Sequence, residues 1–325
     1  MYKTEAYSDI YKKVFMGVYN NFKENAREDY HFELEPLEYE NFIKSIKDEL
    51  IQCIILFEDD IPTGFLAYTT IISESVELNI IHCIGNKDLN QKRRLLLEKF
   101  IEINKHLMKE KTVTYPMLGK QADFADDIDD YGFKIVNTQV MRISLNETSL
   151  QYNIKSEKNY ELDKDFSISN WHNSYKNDAI YVINQSFKNS SDSLFDARFT
   201  TYNGCTDIIE KITENIYGLF LPAITKVLLY KKRPVGFCFA NLTNDKIANI
   251  PITAILKKYR GNGFSNVLIK NLLSDLFNYS IVEGRLLKEI NVSCDVDNIP
   301  AVSMYTSAGF TKDYKYPMAY HSGLA

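Results

Sequence analysis

The stretch IPTGFLAY, from Ile61, has a counterpart in RPVGFCFA, from Arg233. Each follows an apolar run, QCIILFE or TKVLLYK, across a short polar turn (Asp59-Asp60 and Lys232-Arg233), which is the pattern of a β-hairpin. The separation is Gly236 minus Gly64, or 172. At that spacing ELNIIHCIG faces NIPITAIL, and the helical periodicity of RLLLEKFIEINKHL faces that of NVLIKNLLSDLF. Further on, DDYGFKIV echoes TSAGFTKD, where Gly309 minus Gly132 gives 177. Ordered matches at a nearly constant spacing are the mark of duplication. A duplicated chain of 325 residues folds as two domains of similar design.

The expected division is a first domain over 1–148, a linker over 149–160 and a second domain over 161–325. The linker lies in the Asn- and Ser-rich passage SLNETSLQYNIKSEKNY. Each half reads as one or two helices, a hairpin, a strand, a long helix, a strand, a short helix and final strands. Opening helices are predicted at about 5–27 and 37–50, and again at about 178–187 and 205–215. On the first of these, Ile10, Val14, Val18 and Phe22 form a stripe at helical spacing that predicts an apolar face between the domains.

Composition excludes several classes of function. A net charge of −5 disfavours nucleic acid as a partner, because phosphate binding needs a basic face. No apolar run approaches the ~20 residues of a membrane span, and MYKTEAYSDIYKK lacks the apolar core of a signal peptide. Five scattered cysteines suit free thiols in a reducing cytoplasm better than a disulfide framework. The five histidines form no HExxH, so no metal is expected.

Two segments of the second half carry chemistry. Arg260-Gly261-Asn262-Gly263-Phe264-Ser265 lies between an apolar strand and an amphipathic helix. A helix N-terminus offers unpaired N–H groups and partial positive charge, and glycines let a phosphate come close to them. Arg260 adds a charged donor. Strand, glycine loop and helix therefore make a pyrophosphate site. The loop is too short for a Walker A box, and Val267 breaks a GxGxxG pattern. After the next strand, Asn298, Ala301, Tyr305, Gly309 and Phe310 spell NxxAxxxYxxxGF.

Together these segments resemble the GCN5-related N-acetyltransferase (GNAT) family, whose loop pattern is Arg/Gln-x-x-Gly-x-Gly/Ala. Arg260, Gly263 and Ser265 stand at its defining positions, Ser265 being a small departure. The resemblance covers about 225–320, and reaches the first half through its echo of the second. The tandem layout resembles mycothiol synthase and related two-copy members. The fold implied is α/β (α+β): two tandem GNAT domains, each a mixed, mostly antiparallel sheet flanked by helices. The activity implied is acetyl transfer from acetyl-CoA to the primary amine of a small-molecule or amino-acid-like acceptor.

The resemblance also implies roles. The backbone at Ala254 and Ile255 would pair with pantetheine like an added strand, and Arg260 through Ser265 would hold the pyrophosphate. Asn298 would contact the pantetheine arm, and Ala301 would leave room for it. Tyr305 would lie beside the thioester sulfur, and a phenol near its usual ~10 is protonated at neutral pH and can protonate a leaving thiolate. Many members place a glutamate on the strand before the loop. Here that strand is IANIPITAIL, without a carboxylate. Asp295, Asp297 and His321 read as solvated surface groups, so the base is unassigned.

The first half reads as a degenerate copy. By the two spacings, Arg260, Gly261 and Gly263 fall opposite Asp88, Leu89 and Gln91, and Asn298, Ala301 and Tyr305 opposite Gln121, Phe124 and Ile128. Lys92, Arg93 and Arg94 read as a solvated helix start. Acceptor recognition falls to NQSFKNSSDSLFDARFTTYNGC, where Asp192, Asp196 and Arg198 either bind a charged acceptor or belong to a polar surface loop. A CoA-binding sensor without turnover, and a peptide or protein acceptor, stand as alternatives. The chain is expected to be a monomer or homodimer.

Overall fold

At each hairpin tip two consecutive residues take positive φ: Asp59 and Asp60 at 48° and 64°, Lys231 and Lys232 at 49° and 66°. Two left-handed residues make the kind of turn whose twist matches that of the flanking strands. The second turn thus falls one residue earlier than the sequence suggests, and Arg233 already belongs to the strand. In the computed structural model the described residues are 1–30, 36–72, 74–85, 87–145, 162–244, 246–282 and 287–322. The expected linker lies outside them.

The chain divides into two units. The first comprises Met1–Asn137, Leu194–Ala197 and Tyr316–Ala325; the second comprises Thr138–Ser193 and Arg198–Lys315. Strands β1 (Tyr2–Ala6), β2 (Gln52–Glu58), β3 (Ile61–Thr69), β4 (Ser75–Cys83) and β5 (Thr112–Pro116) pair in that order. Around them lie helices α1 (Lys12–Tyr30), α2 (Tyr39–Lys47), α3 (Leu89–Asn104) and α4 (Ala125–Ile128). Strand β6 (Lys134–Ser144) then enters the second unit at Thr138.

The second unit continues with β7 (Phe166–Asn170), α5 (Lys176–Phe187), α6 (Asp192–Phe195), α7 (Tyr202–Thr213) and β8 (Leu219–Phe220). Next come β9 (Lys226–Tyr230), β10 (Arg233–Cys238), β11 (Asn241–Asn244), β12 (Ile247–Asn249) and β13 (Thr253–Ile255). It closes with α8 (Phe264–Val282), β14 (Glu289–Asp295), α9 (Ile299–Ser307) and β15 (Thr311–His321). The last four residues of β15 pair with β5 of the first unit's own sheet.

Strand registers repeat at the spacing read from the sequence. Leu56 pairs with Gly64 and Gly64 with Cys83; Leu228 pairs with Gly236 and Gly236 with Ile255. The parallel contacts repeat too, Ser75 with Thr112 and Ile247 with Glu289. A Cβ on Gly64 would lie 2.8 Å from the His82 carbonyl oxygen, and one on Gly236 3.2 Å from that of Ala254. Close backbone approach keeps glycine at both positions.

Three expectations are corrected. The chain opens with a strand, β1, and α1 begins only at Lys12. The core face of α1 carries Phe15, Val18, Tyr19, Phe22, Ala26 and Tyr30, whereas Ile10 and Val14 are exposed. Val18 and Phe22 of the expected stripe lie on this face, Ile10 and Val14 do not, and rings of Phe15, Tyr19, Phe42 and Phe65 cluster where the helix meets the sheet. Each such side chain contributes roughly 1.5–3 kcal/mol by leaving water. Lys92 and Arg93 are buried: Lys92 pairs with Glu58 at 2.8 Å, and Arg93 donates to the Lys120 carbonyl at 2.7 Å. Both brace the first unit, because a long cation is buried only when its donors are matched.

Candidate functional site

Strand β12 runs parallel to β14, and then the chain leaves it. Pro251 follows within two residues; it has no N–H to give a ladder, and is at home where pairing stops. The Ile252 carbonyl accepts from Phe239 N–H at 2.9 Å, and β13 pairs with β10 in a separate four-stranded sheet. One run of chain therefore serves two sheets, and a wedge opens beside Thr253–Ile255. A cleft of about 260 Å³ occupies this wedge, walled by α5, the glycine loop and the start of α9.

The loop and the first turn of α8 form one end of the cleft. Gly261 and Gly263 have φ of 82° and 76°, which side chains rarely adopt, and a Cβ on either would meet no protein atom within 4 Å. That space, beside unpaired helix N–H groups, fits a phosphate. Asn262 does not line the cleft: its amide donates to the carbonyls of Tyr259 and Arg260, both at 3.2 Å, and stiffens the loop. Arg260 does line it. Its Nε donates to the Ile255 carbonyl at 2.8 Å and a terminal nitrogen to the Ser186 carbonyl at 3.2 Å, so it ties loop, strand and α5 together.

Ile255, Phe264, Ser265, Asn298 and Ala301 line the cleft, and Ala254 is not among the lining residues. Alternation along β13 turns the Ala254 side chain into the core beside Trp171 and Phe237, and turns Thr253 inward instead. Thr253, with Tyr259 and Met304, is a lining residue that motif reading misses, while Ser186 and Ser190 come from the segment assigned to the acceptor. The strand's period of two would have pointed to Thr253. Asn298 caps α9 by accepting from Ala301 N–H at 3.2 Å.

Tyr305 is only 5% exposed and does not line the cleft. Its hydroxyl donates to Thr253 Oγ1 at 3.4 Å, and Cys238 Sγ lies 3.3 Å from the same oxygen. Burial pushes the Tyr305 phenol well above its ordinary value, and burial pushes the Cys294 thiol to about 11, with Asp192 adding to both. Asp192 lines the cleft and accepts from Ser190 Oγ at 3.1 Å. Asp196 is not among the lining residues, and Arg198 is buried against Asp207 at 3.0 Å and the Tyr217 hydroxyl at 2.7 Å.

Of the other candidate bases, Asp297 is exposed at the surface, whereas Asp295 and His321 are not. Asp295 is buried and accepts from Asp297 N–H at 2.9 Å, shaping the turn into α9. His321 is buried in the first unit with its ring 5.4 Å from that of Phe133. Among the described residues no group of His, Cys, Asp and Glu could hold a metal ion, and no helix is long and apolar enough to cross a membrane. All five cysteines are free thiols.

The first unit has the same frame with different contents. Leu89 and Gln91, the counterparts of the two glycines, lie inside α3, so the helix absorbs the loop. The counterpart of α9 is broken into short helical turns over Gly119–Tyr131, and Gln121, Phe124 and Ile128 are fully buried there.

Residues 194–310 match the acetyltransferase (GNAT) family. No curated protein matches the chain. Among solved structures, a GCN5-related N-acetyltransferase from Sphaerobacter thermophilus is 13% identical over 98% of this chain and 95% of its own, with a TM-score of 0.64. A tandem GNAT protein from the clavulanic acid biosynthesis pathway is 10% identical over the whole of both chains, with a TM-score of 0.60. These likenesses extend the family's fold over the first half.

Proposed function

Because residues 194–310 match the acetyltransferase (GNAT) family, we propose that the protein moves an acetyl group from acetyl-CoA to the primary amine of a small, amino-acid-like acceptor. The observation that carries this reading is the wedge beside β13, with an open glycine cradle at one end and a carboxylate in its wall. Pantetheine lies along Thr253–Ile255 as an added strand would. The backbone of Arg260–Ser265 takes the pyrophosphate, and Arg260 holds that loop in place.

The thioester carbonyl belongs at the Thr253 N–H. Its counterpart in the first unit, 172 residues earlier, is the Ile81 N–H, which donates to the Gln121 side-chain oxygen at 3.0 Å. In the second unit the matching side chain, Asn298, turns to its helix instead and leaves that place to the substrate. A preplaced N–H aimed at the growing oxyanion lowers the barrier. Asp192 pairs with the acceptor's ammonium, and the Tyr305–Thr253 hydroxyls serve the leaving sulfur. The first unit binds no CoA, and its filled cleft supports that reading. Free buried thiols suit a cytoplasmic setting.

Thiol release from acetyl-CoA over a panel of alkylamines, amino acids, amino sugars and short peptides tests the proposal. Turnover of a small amine is expected. Tight CoA binding without turnover of any amine would favour the sensor reading instead.

A further inference from the structure

Tyr305 carries the residue type expected at the leaving sulfur, yet Thr253 stands between it and the cleft. The phenol is buried, outside the lining, and its O–H is spent on Thr253 Oγ1 at 3.4 Å. Thr253 lines the cleft itself. A hydroxyl has one proton and two lone pairs, and Tyr305 occupies one of the latter. Cys238 Sγ, 3.3 Å away, either donates to the second lone pair or accepts the Thr253 proton, and as a weak partner it yields that place to a stronger group in the cleft.

We propose that Thr253 is the catalytic residue that meets the sulfur, acting as a proton shuttle, while Tyr305 is a positioning residue that orients its hydroxyl. The inference rests on the acyl-transfer reading above. The acceptor's ammonium first loses one proton to solvent, and the neutral amine nitrogen then bonds to the thioester carbonyl carbon. When the C–S bond breaks, its electron pair goes to sulfur. Nitrogen then holds one proton too many and sulfur one too few. Thr253 Oγ1 takes the proton from nitrogen and passes its own to sulfur, leaving an amide and a free thiol. No residue ends the cycle changed, and the phenol keeps its proton, as its burial favours. A separate base on the strand is then unnecessary for this step, in keeping with IANIPITAIL.

A double-mutant cycle tests the shuttle, with acetyl-CoA and whichever alkylamine the intact chain turns over fastest. Thr253→Val removes the hydroxyl and keeps the shape; kcat should fall about 10²-fold, within the usual span for proton-transfer groups. Tyr305→Phe should lower it by less, and the double variant should be no slower than Thr253→Val alone, since both act on one proton path. Thr253→Ser should restore most of the rate, and Thr253→Ala serves where valine disturbs the strand. CoA affinity by calorimetry, unchanged to about threefold in each variant, shows that the cleft is intact. A Thr253→Val rate within about threefold of the intact chain, or losses that multiply in the double variant, overturns the shuttle and leaves acetyl transfer standing. So does a serine variant as slow as valine. Failure of the intact chain on every amine overturns both.

Discussion

The Ile81 N–H donates to Gln121 Oε1 at 3.0 Å, across the wedge where the first unit's β4 parts from its neighbour. The Tyr115 phenol donates to the same oxygen. Gln121 is fully buried, so in the first unit a side-chain carbonyl occupies the place that the proposed function gives to a thioester in the second.

Replacing Gln121 with leucine strands the Ile81 N–H and the Tyr115 hydroxyl in a dry interior. A buried donor without an acceptor costs about 1–3 kcal/mol. Urea unfolding of the variant should show a loss of that size. An unchanged midpoint would mean that water reaches the wedge.

One CoA should bind per chain, at the second unit. Gly263 has a φ of 76°, and valine there must either strain the backbone by about 1–2 kcal/mol or abandon the loop conformation. Its side chain would also project into the phosphate's space. Calorimetry should give a stoichiometry of one and an affinity at least about tenfold weaker for Gly263→Val. Two sites per chain would contradict the filled-cleft argument.

A fragment starting after the linker should fold poorly. Residues Thr138–Ser144 of β6 pair along the whole of β14, and Met141 and Ile143 belong to the second unit's core. A chain of residues 162–325 lacks them, exposing a long sheet edge and leaving two apolar gaps. Its β15 also loses β5 as a partner. Expression of this fragment beside one of residues 134–325 checks the point: the longer fragment should be the more soluble. Equal behaviour would argue that β6 is dispensable.

Stability should depend on pH through His82. Its ring meets the Tyr30 hydroxyl at 2.8 Å and Asn21 Oδ1 at 3.0 Å, and burial lowers its pKa from 6.5 to about 4. Between those values the unfolded chain binds a proton that the folded one refuses. Stability from this residue is therefore full above about pH 6.5 and falls as pH drops towards 4. The difference of 2.5, at about 1.36 kcal/mol per unit, amounts to roughly 3 kcal/mol. Urea midpoints at pH 7 and 4.5 should differ more for the intact chain than for His82→Gln.

Much of the architecture was legible before any coordinates. The spacing of 172 predicted that the two halves repeat one design, and Gly64 and Gly236 hold equivalent positions in it, paired with Cys83 and Ile255. Hairpins, glycine turns and helix starts are local, so the residues that make them lie together in sequence and leave a pattern there. The loss of Gly261 and Gly263 from the first half was readable for the same reason.

Contacts between distant segments left no such trace. Nothing in the sequence near Tyr305 says that its hydroxyl meets Thr253, 52 residues earlier, or that Arg260 braces the Ser186 carbonyl. Asp295, His321, Lys92 and Arg93 look solvated because charge usually is, yet each is buried. The start of the α1 stripe differs for a related reason: Ile10 and Val14 have the right spacing, but the face that packs carries Phe15 and Tyr19 beside Val18 and Phe22. Sequence determined which elements form and where the glycine cradle lies, since those depend on backbone freedom and short-range periodicity. Tertiary structure alone decided which polar groups share a dry pocket, because desolvation depends on what the rest of the chain brings against them.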